Sequence, residues 1–187
     1  IIGGTVSITT PTSPVSVITG VAFGTNSLQW TISGGCSPST STVTVQRDEP
    51  PSVALAGNNK ITCLNTATLA ANIPAVGSGS WSVLSGTVTI TNPFLPTTDV
   101  TNITVGNHSL KWNIINGVCL ASNSIMFITR NQSPAIASAG LSQSVCSSNA
   151  TLSANVPLTG LGSWSVTQGS ATISSIFNPY ATVTNLY

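Results

Sequence analysis

The stretch Thr66 to Val83, TATLAANIPAVGSGSWSV, returns as NATLSANVPLTGLGSWSV from Asn149 to Val166, 83 residues later and without a gap. Self-similarity at a fixed spacing constrains the fold more than any composition, because each repeat must be one structural unit. The same 83-residue step separates Cys36 from Cys119, Arg47 from Arg130, Pro51 from Pro134, Gly57 from Gly140 and Cys63 from Cys146. Upstream, SLQWTISGGC (Ser27 to Cys36) matches SLKWNIINGVC (Ser109 to Cys119), which is one residue longer in its turn. Pro11, Pro14 and Gly24 likewise match Pro93, Pro96 and Gly106. On this register residues 1–47 are the C-terminal part of one repeat, 48–130 a complete repeat, and 131–187 the N-terminal part of the next.

Within the complete repeat the apolar residues recur every second position, the period of a strand and not of a helix. TATLAANI places Leu69, Ala71 and Ile73 on one face, and SWSV does the same for Trp81 and Val83. TVTIT aligns Val88 with Ile90, LKWNI aligns Leu110, Trp112 and Ile114, and IMFIT aligns Ile125 with Phe127. Turn signals at Gly57-Asn58-Asn59, Gly77-Ser78-Gly79, Ser85-Gly86, Asn92-Pro93, Gly106-Asn107 and Asn116-Gly117 separate these runs. About seven strands per repeat at this spacing predict an all-β fold of tandem immunoglobulin-like β-sandwich repeats of about 83 residues. Pro50-Pro51 and Ser133-Pro134 fall where one repeat passes to the next, as short stiff connectors.

Charge excludes several functions. The 187 residues hold four basic and three acidic residues and one His, a net charge of +1. Soluble domains average about one-quarter charged residues, and this chain offers no field to steer nucleic acid or an anionic membrane. No apolar run approaches the ~18–20 residues of a membrane span, so no membrane insertion is expected in this segment. Solubility then rests on Ser, Thr and Asn, and the expected surface is shielded by glycans or by neighbouring chains. General acid–base catalysis needs positioned titratable groups; the chain reads as a non-enzyme with no catalytic, cofactor-binding or metal site. His108 is matched by Asn26 in the first partial repeat, and Asp99 by Val17 and Thr182. Calcium takes six to eight oxygens, and two of the three acids, Asp48 and Glu49, sit in a linker whose counterpart is Asn131-Gln132. That linker is expected to be a solvated connector. GSGSW and GLGSW lack the Lys and following helix of a phosphate-binding loop and read as turns that let Trp81 and Trp164 enter the core. Asn102, Asn107 and Asn149 head sequons of the glycosylation type, which an Asn-, Ser- and Thr-rich chain produces by chance.

AGNNKITCLNTATLAANIPAVGSGSWSVLSG followed by GNHSLKWNIINGVCLASNSIMFITR resembles the tandem repeats, related to PKD and immunoglobulin-like modules, of very long surface proteins from Bacteroidota, of the gliding-motility adhesin kind. The resemblance spans essentially the whole chain and is carried by the Cys, Gly-x-Gly-x-Trp and Trp-x-Ile elements. It implies an extracellular stalk or adhesin at the cell surface, whose partners are neighbouring repeats, other copies in a filament, and a surface polysaccharide or substratum. In such a setting two cysteines per repeat favour disulfides. Cys63 and Cys119 are the pair contained in one repeat, and Cys36 and Cys146 are their equivalents. An immunoglobulin topology places Cys63 and Cys119 near opposite ends, and the bond then joins neighbouring repeats or the sulfurs stay free.

The four tryptophans, Trp30, Trp81, Trp112 and Trp164, each sit in an alternating run and are expected in the core. Exposure of one would instead favour the alternative of a carbohydrate-binding module array, because a sugar platform shows an aromatic face to solvent. The repeat register also predicts further sequence on both sides: a Cys, an ATL-x-AN-x-P strand and a Gly-x-Gly-x-Trp turn before Ile1, and a G-x-x-x-L-x-W strand, a Cys and an Arg after Tyr187.

Overall fold

The structure is a computed structural model and describes residues 6–186. It is all-β, with no helix among the described residues, and forms two compact units, Ile1–Arg130 and Asn131–Tyr187. The first unit runs β1 (Ser7–Ile8), β2 (Ile18–Thr19), β3 (Gly24–Ile32), β4 (Ser39–Arg47), β5 (Lys60–Thr62) and β6 (Ala67–Ala70). It continues through β7 (Ser78–Ser85), β8 (Thr89–Ile90), β9 (Thr97–Thr101), β10 (Gly106–Ile115) and β11 (Ser122–Arg130). The second unit holds β12 (Ala150–Thr151), β13 (Thr172–Ile173) and β14 (Thr182–Thr184).

Residues 48–130 contain β5 to β11, seven strands in two sheets, ordered β5-β11-β10-β7 and β6-β9-β8. All pairings are antiparallel except β5 with β11, which run parallel. This is an immunoglobulin-like sandwich. Its core is set by alternation along β10, where His108, Leu110, Trp112 and Ile114 are buried, and along β11, where Met126 and Ile128 are buried. Leu69 and Val100 from the second sheet, with Ile103 just beyond β9, close the core, and Val88 and Ile90 pack against it. Trp112 is directly opposite Trp81 in the β10–β7 register, with ring centroids 5.2 Å apart and planes tilted by 48°. Burial of these apolar side chains, each worth roughly 1.5–3 kcal/mol, holds the two sheets together.

Three expectations about faces need correction. In β11 the pair Ile125 and Phe127 faces outward and is exposed, because the register Leu110↔Met126 and His108↔Ile128 turns the other pair inward. Ile73 lies beyond the end of β6 and is exposed, while Leu69 is buried as the alternation requires. The surface is not simply Ser, Thr and Asn: Ile61, Phe94, Val118 and Leu120 are all exposed.

The partial repeats reproduce part of the backbone of the complete one; residues 143–145 and 161–168, the counterparts of β5 and β7, form no strand. β3 and β4 form the counterpart of β10 and β11, paired residue by residue from Gly24↔Arg47 to Ile32↔Ser39. β1–β2 and β13–β14 are counterparts of β8–β9. Gly20, Asn102 and Asn185 occupy one repeat position and all three are left-handed, with φ of 65°, 55° and 57°. That conformation is open to Gly and tolerated by Asn, which is why the position alternates between those two residue types alone.

Burial does not follow sequence identity so closely. Trp81 is 3% exposed and Trp112 fully buried, but Trp30, the counterpart of Trp112, is 41% exposed. The expected core position of Trp30 therefore does not hold. Among the described residues the β3–β4 sheet has two strands. Trp164 is half-buried.

Candidate functional site

What the repeat preserves is a set of side chains that bind backbone. Arg130, at the end of β11, donates from Nη1 to the Ile103 carbonyl at 2.6 Å and from Nε to the Cys63 carbonyl at 3.5 Å. Arg47, at the end of β4, donates from Nη1 to the Val21 carbonyl, also at 2.6 Å. Val21 and Ile103 each directly follow the left-handed Gly20 and Asn102. The two arginines thus do one job: they tie the last strand of the repeat to the turn that leaves β2 or β9. Arg47 also lies over the Phe23 ring, 4.2 Å from its centroid.

Asn72 and Asn155 make a second clamp. Asn72 accepts at Oδ1 from the Leu55 amide (2.8 Å) and donates from Nδ2 to the Val53 carbonyl (2.9 Å). Its own amide donates to the Leu55 carbonyl at 3.0 Å. Asn155 repeats all three bonds on residues 136 and 138, at 2.8, 3.1 and 3.0 Å. A side-chain amide has the donor and acceptor of a peptide group, so each Asn pairs with the extended segment before β5, or its counterpart, as a strand would. Nothing in a chain so rich in Asn singles these two out except their 83-residue separation.

His108 is a third such residue. Its Nε2 bonds the Thr104 carbonyl at 2.7 Å, and its ring is buried. Asn26 at the matching position is buried as well, and donates from Nδ2 to the Ala22 carbonyl at 2.9 Å and the Gly24 carbonyl at 3.2 Å. A carbonyl partner fixes Nε2 as the protonated nitrogen, and Nδ1, buried against Gly86, has no partner. Asn26 leaves Oδ1 unpaired in the same way. His108→Asn is therefore expected to stay within about 1 kcal/mol of the parent, whereas His108→Ala, which strips the Thr104 carbonyl of its buried donor, should cost about 1–3 kcal/mol. Urea unfolding of both variants checks this, and equal losses would show that the ring, not the bond, is what matters.

Asp99 is exposed on β9 and accepts from the Thr68 hydroxyl across the strand pair at 2.6 Å. Among the described residues no three of His, Cys, Asp and Glu lie close enough together to hold a metal ion. The Asp48–Glu49 linker is not a free connector. Asp48 accepts at Oδ2 from the Val118 amide (2.9 Å), its carbonyl accepts from the Cys119 thiol (3.4 Å), and the Glu49 carbonyl accepts from Asn116 Nδ2 (2.8 Å). The start of the complete repeat is thus pinned to its own β10–β11 turn, and Gly117, at φ 51°, leaves room for the carboxylate.

All four cysteines are free thiols, with Cys36, Cys63 and Cys146 exposed and Cys119 half-buried. Cys63 follows β5, whose Thr62 pairs with Arg130 at the end of β11, and Cys119 precedes the start of that strand. Along a nine-residue strand the two lie on the order of 25 Å apart, far beyond the ~7 Å between Cα atoms that a disulfide spans. They sit at opposite ends of one repeat.

In the Gly-x-Gly-x-Trp turns the Trp81 amide donates to the Pro93 carbonyl (2.7 Å) and the Trp164 amide to the Ile176 carbonyl (2.8 Å). Gly77 and Gly160 are left-handed, at φ 92° and 90°. Trp81, after the first of these turns, is buried, and Trp164, after the second, is half-buried. No helix among the described residues is long and apolar enough to cross a membrane.

No protein-family model matches the chain, and no curated protein does. Among solved structures the chain is similar to the PKD domain from KIAA 1837 protein over 49% of this chain and 98% of that one, with 19% identity and a TM-score of 0.38. It is also similar to domains 4–9 of surface layer protein SbsC, over 91% of this chain and 32% of that one, with 14% identity and a TM-score of 0.29.

Proposed function

We propose that these residues are a structural segment of a long extracellular array of PKD- and immunoglobulin-like modules, divided at 47/48 and 130/131, acting as a stalk for adhesion or gliding at the surface of a bacterium of the Bacteroidota kind. One observation carries the reading: the side chains kept in register between repeats bind the chain itself, Arg47 with Arg130 and Asn72 with Asn155 to backbone, and the left-handed Asn102 with Asn185 to the Thr89 and Thr172 hydroxyls. A binding or catalytic module would keep a set of side chains aimed at solvent. The Asp48 contacts add a stiff junction at the start of the complete repeat, and stiffness in series is what a stalk needs. In this reading the cysteines, at the ends of the repeat, bond across module boundaries; the contact of the Cys119 thiol with the Asp48 carbonyl, at the start of the repeat, supports it. Partners in this reading are neighbouring repeats, other copies, and a polysaccharide or substratum reached by a distal tip.

The exposed Trp30 favours the sugar-binding alternative, but Trp112 at the same position of the complete repeat is fully buried, so an aromatic platform is not a property of the repeat. Antibodies against residues 48–130 should label intact, unpermeabilised cells, and negative-stain images of the shed antigen should show a thin chain of modules. Labelling that requires permeabilised cells, or a compact particle, would remove the stalk. Binding of the 187-residue chain to a glycan array that is abolished by Trp30→Ala would put the alternative in its place.

A further inference from the structure

Residues 48–63 of the complete repeat run beside its last strand in the same direction, and their partners come in the same order. Asp48 and Glu49 are bonded to Val118, Cys119 and Asn116 in the β10–β11 turn. Further along, the Ala54 amide donates to Ser122 Oγ and the Phe127 amide to Asn59 Oδ1, both at 2.9 Å. Lys60, Ile61 and Thr62 then pair in parallel with Ile128, Thr129 and Arg130. The Cys63 carbonyl closes the series on Arg130 Nε. Every other strand pairing in the repeat is antiparallel.

This order decides how the repeat responds to tension. The chain enters at Asp48, beside the turn that precedes β11, and leaves at Arg130, at the far end of that strand. Along the nine residues of β11 the two points are on the order of 30 Å apart. A pull on both ends therefore slides residues 48–63 and β11 past each other along their length, and the bonds between them are loaded together. Had the two run antiparallel, entry and exit would lie at one end, and the same pull would open the bonds one after another. Each bond is weak on its own against the competition of water, so what resists is the number loaded at once. The entering segment is also held from a second side: Ala54 and Ala56 are buried in the core, and Asn72, just past β6, bonds Val53 and Leu55.

We propose that residues 48–63 and β11 form a shear clamp, through which the complete repeat carries tension from Asp48 to Arg130 and resists extension more than its equilibrium stability alone would give. Asp48, Asn59, Ser122 and Arg130 are the side chains that fasten it. The proposal deepens the array reading and rests on it for the source of the load, since a stalk that holds a cell to a surface is pulled along its length. Cell-surface labelling and particle shape test the array; the force at which one repeat opens tests the clamp, and either can fail alone.

Single-molecule extension of the 187-residue chain in two directions decides the matter, in a background with the four cysteines replaced by Ser, which keeps a donor at position 119. Handles on Glu49→Cys and Asn131→Cys pull the interface in shear. Handles on Glu49→Cys and Val118→Cys, both at the turn end, peel the same interface from that end; all three positions are exposed. Opening should need roughly two- to threefold more force in shear than in peel, because several weak bonds are loaded together in one case and one or two in the other. Removing two of those bonds with Asn59→Ala and Ser122→Ala should lower the shear force by roughly a quarter and leave the initial peel force nearly unchanged. His108→Ala, whose bond to Thr104 lies off the interface, should lower the urea midpoint and move the shear force far less. The two directions use one fold, so their comparison stands whatever the variants do to stability. Equal forces in shear and peel overturn the proposal. So does a shear force that follows the urea midpoint across all the variants, since the repeat would then resist by its overall stability and not by the clamp.

Discussion

Trp112→Ala should lower the unfolding free energy of the complete repeat by about 3–5 kcal/mol, the range for removing a large aromatic from a packed core. The indole is fully buried, lies against Trp81 at 5.2 Å, and sits over Gly79, so no neighbour has the reach to fill the space it leaves. The tilted Trp pair adds roughly 0.5–1.5 kcal/mol beyond the area buried. One term opposes these: Nε1 of Trp112 has no hydrogen-bond partner, and removing an unpaired buried donor returns about 1–3 kcal/mol. Cavity and pair terms together exceed that return, so Ala remains strongly destabilising. Trp112→Phe keeps most of the ring and discards the unpaired N–H, and is expected to cost well under half as much. The matching Trp30→Ala, at a 41% exposed position, should cost about 1 kcal/mol or less. Urea unfolding followed by circular dichroism, with hydrogen exchange to localise the loss to residues 48–130, separates the three. An unchanged midpoint for Trp112→Ala would mean that the two sheets are not held by this core.

The strands that alternate cleanly were legible, and those that do not were not. LKWNI gives one reading, because Lys111 and Asn113 separate the apolar residues, and Leu110, Trp112 and Ile114 are buried as that spacing requires. In β11 four apolar residues follow one another, Ile125 to Ile128, and a period of two fits either face. Only pairing with β10 decides, and a one-residue slip would exchange Met126 and Ile128 for Ile125 and Phe127. The tryptophans show a different limit. Trp30 and Trp112 share neighbours, spacing and strand, yet one is exposed and the other buried, because burial belongs to whatever lies opposite and not to the strand itself. At His108 the counterpart Asn26 argued in the sequence against an acid–base role, but the bond that both side chains make to a loop carbonyl, Ala22 or Thr104, is seen only in the structure. The linker at Asp48 escaped notice because its partners, Asn116 to Cys119, lie some 70 residues away in a turn of another strand pair.

Gly79→Ala should destabilise the complete repeat by about 3 kcal/mol, at the upper end for overpacking a core. The residue has no left-handed backbone to explain its identity, unlike Gly77 at φ 92°; its constraint is space. A Cβ built on Gly79 collides with the six-membered ring of Trp112, and that ring is fully buried, so it cannot swing into solvent. Relief requires either β7 to lift from β10, breaking the Ile114↔Gly79 and Trp112↔Trp81 register, or the indole to leave a favourable rotamer. Gly162→Ala offers an internal control in the same motif. At that position the nearest atom is Pro157 Cγ at 4.0 Å, and the added methyl should be neutral or stabilise by about 0.4–1 kcal/mol through the unfolded chain. The same substitution in the same pentapeptide is therefore expected to carry opposite signs. Combining Gly79→Ala with Trp112→Leu should cost less than the sum of the two, by about 1 kcal/mol or more, because the smaller side chain removes the collision. Strict additivity in that double variant would show that Gly79 is kept for its backbone after all, and that the Gly-x-Gly-x-Trp turn is a conformational device in both its glycines and not a seat for the facing tryptophan.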